Sequence, residues 1–130
     1  TTVIEERVPM HSPLMTPVAE SFAAHLRAAP WQRPCATYLP NVSAAPLADA
    51  TPSDFVAALT AHVSAPVLWD RSLDHTAAAH PDATFVEVGP GGVLHNMLGR
   101  SWKPLRRARL DAPDAHDPAT HFMATVEALH

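Results

Sequence analysis

One histidine near the start of this sequence, His11, has the setting of a catalytic base. It stands in the stretch "RVPMHSPLM" at residues 7–15, where Ser12 and Pro13 are typical of the N-cap and first position of a helix. A histidine can deprotonate a hydroxyl nucleophile when an acceptor holds its other ring nitrogen. The 130 residues contain no Gly-x-Ser-x-Gly stretch that would present such a hydroxyl. From the residues alone, His11 is either a structural residue at a helix start or a base that lacks the rest of its site.

The other histidines do not have the spacing of a metal site. The sequence has nine histidines, and the pairs His75/His80 and His116/His121 are each five residues apart, which does not place both on one helical face. No His-Glu-x-x-His stretch occurs. We therefore expect no metal, and a small metal-binding α/β domain remains an alternative that rests on the histidine count alone.

A glycine turn, Gly89-Pro90-Gly91-Gly92, lies between a β-branched stretch and an apolar, helix-like one. Such a turn can place backbone N–H groups around a phosphate. This one lacks the lysine of a phosphate-binding loop, and Val93, Leu94 and His95 follow where a Gly-x-Gly-x-x-Gly pattern needs another glycine. We expect a close strand-to-helix packing turn, with a nucleotide site as the weaker alternative.

Composition limits the classes of protein. The length of 130 residues suits one domain, and 47% hydrophobic with 17% charged residues is globular composition. A formal charge of -4 gives no reason to expect nucleic acid, so the basic run from Lys103 to Arg109 is expected to be a solvated strand edge. Cys35 alone cannot form an internal disulfide, and no apolar run reaches the ~18–20 residues that span a membrane. The expected location is the cytoplasm.

The positions of apolar residues and prolines predict an α/β chain. Apolar residues recur at helical spacing from Leu14 to Leu26, and the first helix should end before Pro30. Thr51, Pro52 and Asp54 predict the capped start of a second helix. The remaining predicted elements are strands at 3–8, 35–39, 84–88 and 108–110 and helices that begin near 69, 93 and 120. So few strands suggest part of a larger sheet, and hence a piece of a larger domain.

Four stretches resemble, in order and rough spacing, the acyl-CoA:acyl-carrier-protein acyltransferase family. This family includes the malonyl transacylases of fatty-acid synthesis and the acyltransferase domains of polyketide synthases. The stretches are "VPMHSPLM" at 8–15, "PNVS" at 40–43, "HVSAPVLW" at 62–69 and "FVEVGPGGVLHNML" at 85–98. The tail from Pro104 is similar to the exit and linker of type I polyketide synthase acyltransferases. The resemblance covers nearly the whole chain.

The resemblance implies a fold and a set of boundaries. The chain would be the C-terminal portion of the large α/β-hydrolase-like subdomain of an acyltransferase, with at most the last strand of the ferredoxin-like subdomain. Residues 1–8 would end that smaller subdomain as an incoming strand, and residues 9–103 would form the C-terminal part of the large one. Residues 104–130 would form the exit strand, the linker and a terminal helix.

The resemblance also implies residue roles. His11 matches the base of a serine–histidine dyad, and His62 matches the residue whose backbone carbonyl accepts the other N–H of that histidine. Met10 matches the residue beside the acyl group, and its bulk favours malonyl over methylmalonyl. Glu87 is expected to be structural. Asn41 is expected to stabilise a turn without a catalytic role.

The implied reaction moves a malonyl-type group from coenzyme A to the phosphopantetheine thiol of an acyl carrier protein, with no permanently bound cofactor. The nucleophilic serine would lie on an N-terminal part of the same domain that these residues do not include, so the chain alone would be inactive. Expected partners are that N-terminal part, the carrier protein and, through the linker, a ketosynthase, with no nucleic acid or membrane. The alternative is a non-catalytic module of the same fold that docks a carrier protein or another partner.

Overall fold

The fold is described from a computed structural model, in which residues 8–102, 105–111 and 117–129 are described. The chain divides into two compact units, Thr1–His75 and Thr76–His130. The elements of the described residues are a 3-10 turn at Pro13–Met15, helices α1 (Thr16–Ala28), α2 (Pro52–Ser64), α3 (Trp69–Ala79), α4 (Val93–Ser101) and α5 (Pro118–Ala128), and strands β1 (Thr84–Glu87) and β2 (Arg106–Arg109).

In the first unit, α1 packs against α2 along a row of small side chains. Ala19 and Ala23 are 3% exposed and lie one helical turn apart, on the same face as the buried Met15. Because alanine adds little beyond the backbone, the two helices can approach closely. The larger Val18 and Phe22 lie on another face and remain 50% and 41% exposed. The apolar surface of α1 is therefore wider than the part that α2 covers.

The start of α2 is capped as the sequence predicts. The backbone N–H and hydroxyl of Thr51 both donate to Asp54 Oδ2, at 2.7 and 2.6 Å. These hydrogen bonds, the side-chain one first, lower the pKa of the Asp54 carboxyl. Pro52 occupies the first turn, where a missing N–H costs nothing. The carboxylate therefore satisfies a backbone donor that would otherwise have no partner at the helix start.

The strand predicted at residues 35–39 is wrong, because this segment is a loop. Pro34 and Pro40 bracket it, and proline cannot donate to a sheet ladder. The Tyr38 carbonyl instead accepts from Leu47 N at 3.0 Å, within the same loop region. The predicted turn does form, since the carbonyl of the buried Pro40 accepts from the N–H groups of residues 43 and 44 at 3.2 and 3.0 Å.

The second unit contains the β1–α4–β2 segment. The two strands are parallel, with Thr84 opposite Arg106 and Glu87 opposite Arg109. The β2 strand begins at Arg106, two residues before the predicted strand at 108–110. A helix between two parallel strands is a basic unit of α/β folds. The predicted α/β mixture of helices and strands is therefore confirmed for the described residues.

The terminal helix begins at Pro118, two residues before the predicted start near 120. Asp117 accepts from Ala119 N at 3.1 Å and from the Thr120 hydroxyl at 2.6 Å, and Pro118 begins α5. Most of the predicted strand at 3–8 and part of the predicted linker lie outside the described residues. None of the described helices has both the length and the apolar content that a membrane crossing requires.

Candidate functional site

His11 lies at the C-terminal end of α2, although the two are far apart in sequence. Its backbone N–H donates to the Val63 carbonyl at 3.1 Å, and its Nδ1 lies 2.8 Å from the His62 carbonyl oxygen. A carbonyl oxygen can only accept, so Nδ1 carries the proton. The other nitrogen, Nε2, is then the one that holds a lone pair.

The free carbonyls at this helix end follow from the sequence. In a continuing helix the His62 carbonyl would accept from the N–H of the residue four positions later. That residue is Pro66, which has no N–H, and α2 ends at Ser64. The carbonyls of His62 and Val63 are therefore among the unsatisfied acceptors of a helix C-terminus. His11 satisfies both, one with its side chain and one with its backbone.

The backbone of His11 is strained. Its φ is 61°, in the left-handed region that residues with a Cβ seldom occupy. Such conformations persist where the surrounding contacts compensate for them, and they are found more often at functional sites. The bonds to His62 and Val63 hold this conformation.

The side chain of His62 also contacts His11. The two rings are stacked, with centroids 5.1 Å apart and planes at 28°. Burial lowers the pKa of His62, and the neighbouring charge of His11 lowers it further. Both effects favour an uncharged His62 ring.

Asn41 reaches the same cluster, and the sequence did not indicate this. Its Nδ2 lies 3.2 Å from His62 Nε2, while its backbone carbonyl accepts from Leu68 N at 2.8 Å. Asn41 therefore does more than support the turn for which it was predicted. The "PNVS" stretch is one of the four that resemble the acyltransferase family, but the resemblance implied no contact for Asn41, and asparagine after proline is an ordinary turn sequence.

Met10 is adjacent to His11 in the chain. Its backbone N–H donates to the Val8 carbonyl at 2.8 Å, and its side chain is 47% exposed. One region of the first unit thus contains the three residues for which the sequence predicted a role, Met10, His11 and His62. Asn41 contacts His62 in the same region.

In the glycine turn of the second unit and the start of α4, carboxylates accept hydrogen bonds from the backbone N–H groups. Glu87 accepts from the N–H groups of Leu94 and His95 at 3.2 and 2.9 Å, at the start of α4. Asp111 accepts from Gly91 N at 2.7 Å. Because these amides already bind acidic side chains, a phosphate would meet negative charge where it needs donors. The structure supports the predicted packing turn over a nucleotide site.

Another glycine of this turn lies beside a side chain of β2. Gly92 is buried, and a Cβ at this position would lie 2.5 Å from Nη1 and 3.4 Å from Cδ of Arg109. Arg109 is the last residue of β2, which pairs with β1. These atoms belong to the flexible side chain of Arg109, so a larger residue at position 92 would displace that side chain and not the backbone of β2. Elsewhere in the described part of the chain, no three His, Cys, Asp or Glu residues come together as metal ligands.

No protein-family model and no curated protein matches the sequence. Solved structures do match. An acyl carrier protein S-malonyltransferase from Vibrio cholerae O1 biovar eltor is 25% identical with a TM-score of 0.75, and the match covers 98% of this chain and 37% of that one. The acyltransferase domain of an iterative polyketide synthase of enediyne biosynthesis is 32% identical with a TM-score of 0.71, over 92% of this chain and 28% of that one.

A third structure is the malonyl-transacylase of a type II polyketide synthase, solved with its holo acyl-carrier protein. It is 23% identical with a TM-score of 0.76, over 95% of this chain and 38% of the other. The chain thus spans well under half the length of each of these proteins. It has the fold of a part of these acyltransferases.

Proposed function

We propose that this chain is the C-terminal part of an acyltransferase of the malonyl-CoA:acyl-carrier-protein transacylase family and supplies its catalytic histidine. The observation that carries the proposal is the bond of 2.8 Å between His11 Nδ1 and the His62 carbonyl. This bond leaves Nε2 as the basic atom. The similarity in fold to malonyltransferases and to a polyketide synthase acyltransferase domain supports the family.

In the first half-reaction, Nε2 of His11 takes the proton from a serine hydroxyl. The serine oxygen attacks the thioester carbonyl of malonyl-CoA, the carbon–sulfur bond breaks, and His11 returns the proton to the departing thiolate. The acyl group is then an ester on the serine. Malonyl-CoA is a substrate here, and no resident cofactor is proposed.

The second half-reaction uses the same groups in reverse. Nε2 deprotonates the phosphopantetheine thiol of a carrier protein, the thiolate attacks the serine ester, and His11 protonates the serine oxygen as it leaves. In both halves His11 is transiently positive. It lies at the C-terminal end of α2, where the helix dipole carries partial negative charge.

The serine comes from a part of the acyltransferase outside these 130 residues. No Gly-x-Ser-x-Gly stretch occurs among them, and the solved acyltransferases are more than twice as long as the matched region. The larger Val18 and Phe22 on α1, still half-exposed, offer an apolar surface for that part to cover. We therefore propose the segment that carries the serine as the first partner of this chain.

The acyl group and the pathway are finer parts of the proposal. Met10, next to the base, is bulky, which favours malonyl over branched acyl groups. The tail resembles the exit of type I polyketide synthases, and a polyketide synthase domain is among the similar structures. A similar transacylase was solved with its carrier protein, which supports a carrier protein as the acceptor. A ketosynthase neighbour and a cytoplasmic location follow from the same proposal.

The test is acyl transfer by the acyltransferase that contains this chain together with the serine-bearing segment. With labelled malonyl-CoA, the unsubstituted protein should form a covalent serine adduct and pass the label to a holo carrier protein. The His11→Ala variant should be acylated roughly 10²–10⁴-fold more slowly, the usual contribution of a general base. His75→Ala, an exposed histidine of α3, is the matched control and should keep the normal rate.

Two results would contradict the proposal. An unchanged acylation rate in His11→Ala would remove His11 from the mechanism. A protein that binds carrier protein but forms no adduct with malonyl-CoA would instead support the non-catalytic docking module, which no particular contact of the described residues favours.

A further inference from the structure

The imidazole ring of His62 faces His11, and the dyad described above does not use it. The carbonyl of His62 alone is enough to hold the proton on His11 Nδ1. The ring is nevertheless stacked on that of His11, with centroids 5.1 Å apart. A second imidazole so near a base affects it in a way that depends on its own charge, because two positive rings repel each other.

The side chain of Asn41 determines which form of His62 fits. Its amide nitrogen, Nδ2, lies 3.2 Å from His62 Nε2. An amide nitrogen only donates, so Nε2 must accept with a lone pair, and the proton of the neutral ring is on Nδ1. A proton on Nε2 would point one donor at another. Asn41 therefore opposes protonation of His62.

The backbone around Asn41 is fixed at two points. The carbonyl of Asn41 accepts from Leu68 N at 2.8 Å. The preceding residue, Pro40, is buried and its carbonyl accepts two turn N–H groups. The amide is thus presented to His62 from a rigid turn and does not depend on a flexible loop.

We propose that Asn41 and His62 are positioning residues that keep an uncharged imidazole stacked on His11 while His11 gains and loses its proton. This inference rests on the proposed function of His11 as the base. A neutral ring packs against one face of His11 and restricts rotation of the imidazole, so that Nε2 stays aimed at the serine. It also leaves His11 as the single residue of the pair that becomes positive.

The surroundings of His62 agree with an uncharged ring. Burial is the main effect on its pKa, and the charge of His11 is the second, both in the direction that favours the neutral form. The group that contacts it from the Pro40 turn, Asn41, carries no charge. Geometry and electrostatics therefore favour the same form of His62.

The first test measures the protonation of the ring nitrogens directly. In the assembled acyltransferase with ¹⁵N-labelled histidine, the signals of His11 and His62 can be assigned from the spectra of single variants. At neutral pH, Nε2 of His62 should have the chemical shift of an unprotonated, hydrogen-bond-accepting nitrogen, and Nδ1 that of a protonated one. A protonated Nε2 of His62 at neutral pH would overturn the inference.

Two substitutions of similar size remove the donor to His62, one with an added charge and one without. Asn41→Asp replaces the donor by a charged acceptor, so the His62 titration should move up by about one pH unit or more. Asn41→Leu removes the donor without adding charge and should move it up by less. Both should lower kcat/KM for acylation by roughly 10-fold to 100-fold, the cost of misaligning a catalytic group, with little change in the KM for malonyl-CoA. Asn96→Leu, an exposed asparagine of α4, is the control and should change neither quantity.

A double-mutant cycle separates this role from a structural one. His62→Gln keeps the backbone carbonyl but removes the ring, so Asn41→Leu should have almost no further effect on kcat/KM in that background. If Asn41→Leu lowers kcat/KM equally with and without the His62 ring, Asn41 does not act through His62 and the inference is wrong. Normal acylation by His11→Ala would instead refute the proposed function. A slow His11→Ala with normal Asn41 variants would refute this inference alone.

Discussion

The left-handed backbone of His11 predicts that substitutions there separate stability from catalysis. The φ of 61° is unfavourable for any residue with a Cβ, by about 1–2 kcal/mol. Replacing His11 by alanine keeps that strain and removes the bond from Nδ1 to the His62 carbonyl. The loss of one such hydrogen bond costs about 0.5–1.5 kcal/mol. His11→Ala should therefore be destabilised by about 1 kcal/mol.

The His11→Gly variant also lacks the bond to the His62 carbonyl, but its backbone adopts the left-handed conformation without strain. The relief of about 1–2 kcal/mol exceeds the extra backbone entropy of glycine in the unfolded chain, about 0.4–1 kcal/mol. His11→Gly should therefore be more stable than His11→Ala, by about 0.5–1 kcal/mol. Asparagine tolerates the left-handed region and its amide can donate to the His62 carbonyl, so His11→Asn should come closest to the original stability.

The assay is thermal unfolding of the proposed acyltransferase, with this chain and its serine-bearing segment together, alongside its acylation rate. In a domain of 150–250 residues a difference of 1 kcal/mol moves Tm by roughly 2–4 °C, which is measurable. We expect the highest Tm for His11→Asn, then His11→Gly, and the lowest for His11→Ala. All three variants lose the base, so acylation should be roughly 10²–10⁴-fold slower in each. A higher Tm for the alanine variant than for the glycine variant would refute the left-handed conformation of His11. An asparagine variant with normal acylation would refute the role of His11 as the base.

Three further predictions concern other positions. The hydrogen bonds from Thr51 lower the pKa of the Asp54 carboxyl. The stabilisation by this carboxylate should therefore be fully present above the ordinary aspartate pKa of 3.8 and be lost as pH falls through the lower folded value. Asp54→Ala should lower the urea midpoint at pH 7, and the difference from the unsubstituted protein should vanish at low pH. Burial lowers the pKa of His62 below the ordinary histidine value of 6.5. As pH falls from 6.5 towards the folded value, the unfolded chain binds the proton first, so the free energy of unfolding should decline. His62→Gln should remove this part of the pH dependence of urea unfolding. Gly91 has a φ of 91° and donates to Asp111, so Gly91→Ala should cost about 1 kcal/mol or more, as measured by urea unfolding.

Local signals in the sequence were enough to predict most helix starts. Thr51-Pro52 and Asp117-Pro118 each combine a capping residue with a proline that the first turn tolerates. Ser12-Pro13 instead begins a 3-10 turn, the Ser12 hydroxyl donates to the Pro9 carbonyl, and α1 begins three residues later at Thr16. The end of α2 was also predictable, because Pro66 cannot continue a helix. These features depend on a few neighbouring residues, so no knowledge of the tertiary structure is needed.

Features that depend on distant partners could not be predicted from local pattern. The segment at 35–39 has residues suited to a strand, but it lies between two prolines and its Tyr38 carbonyl binds Leu47. The contact between His11 and His62 joins residues 51 positions apart, and only the resemblance to a family indicated it. The contact of Asn41 with the His62 ring had no such indication. A side-chain pair of this kind is determined by how the Pro40 turn packs beside α2.

The most direct test of the central claim is to mix two separate polypeptides, this chain and the acyltransferase segment that carries Gly-x-Ser-x-Gly, with labelled malonyl-CoA. We expect no covalent adduct on this chain alone, little on the serine segment alone, and rapid labelling of the segment's serine after mixing. With the His11→Ala chain, labelling after mixing should fall roughly 10²–10⁴-fold. Equal labelling of the serine with the original and His11→Ala chains would contradict the account.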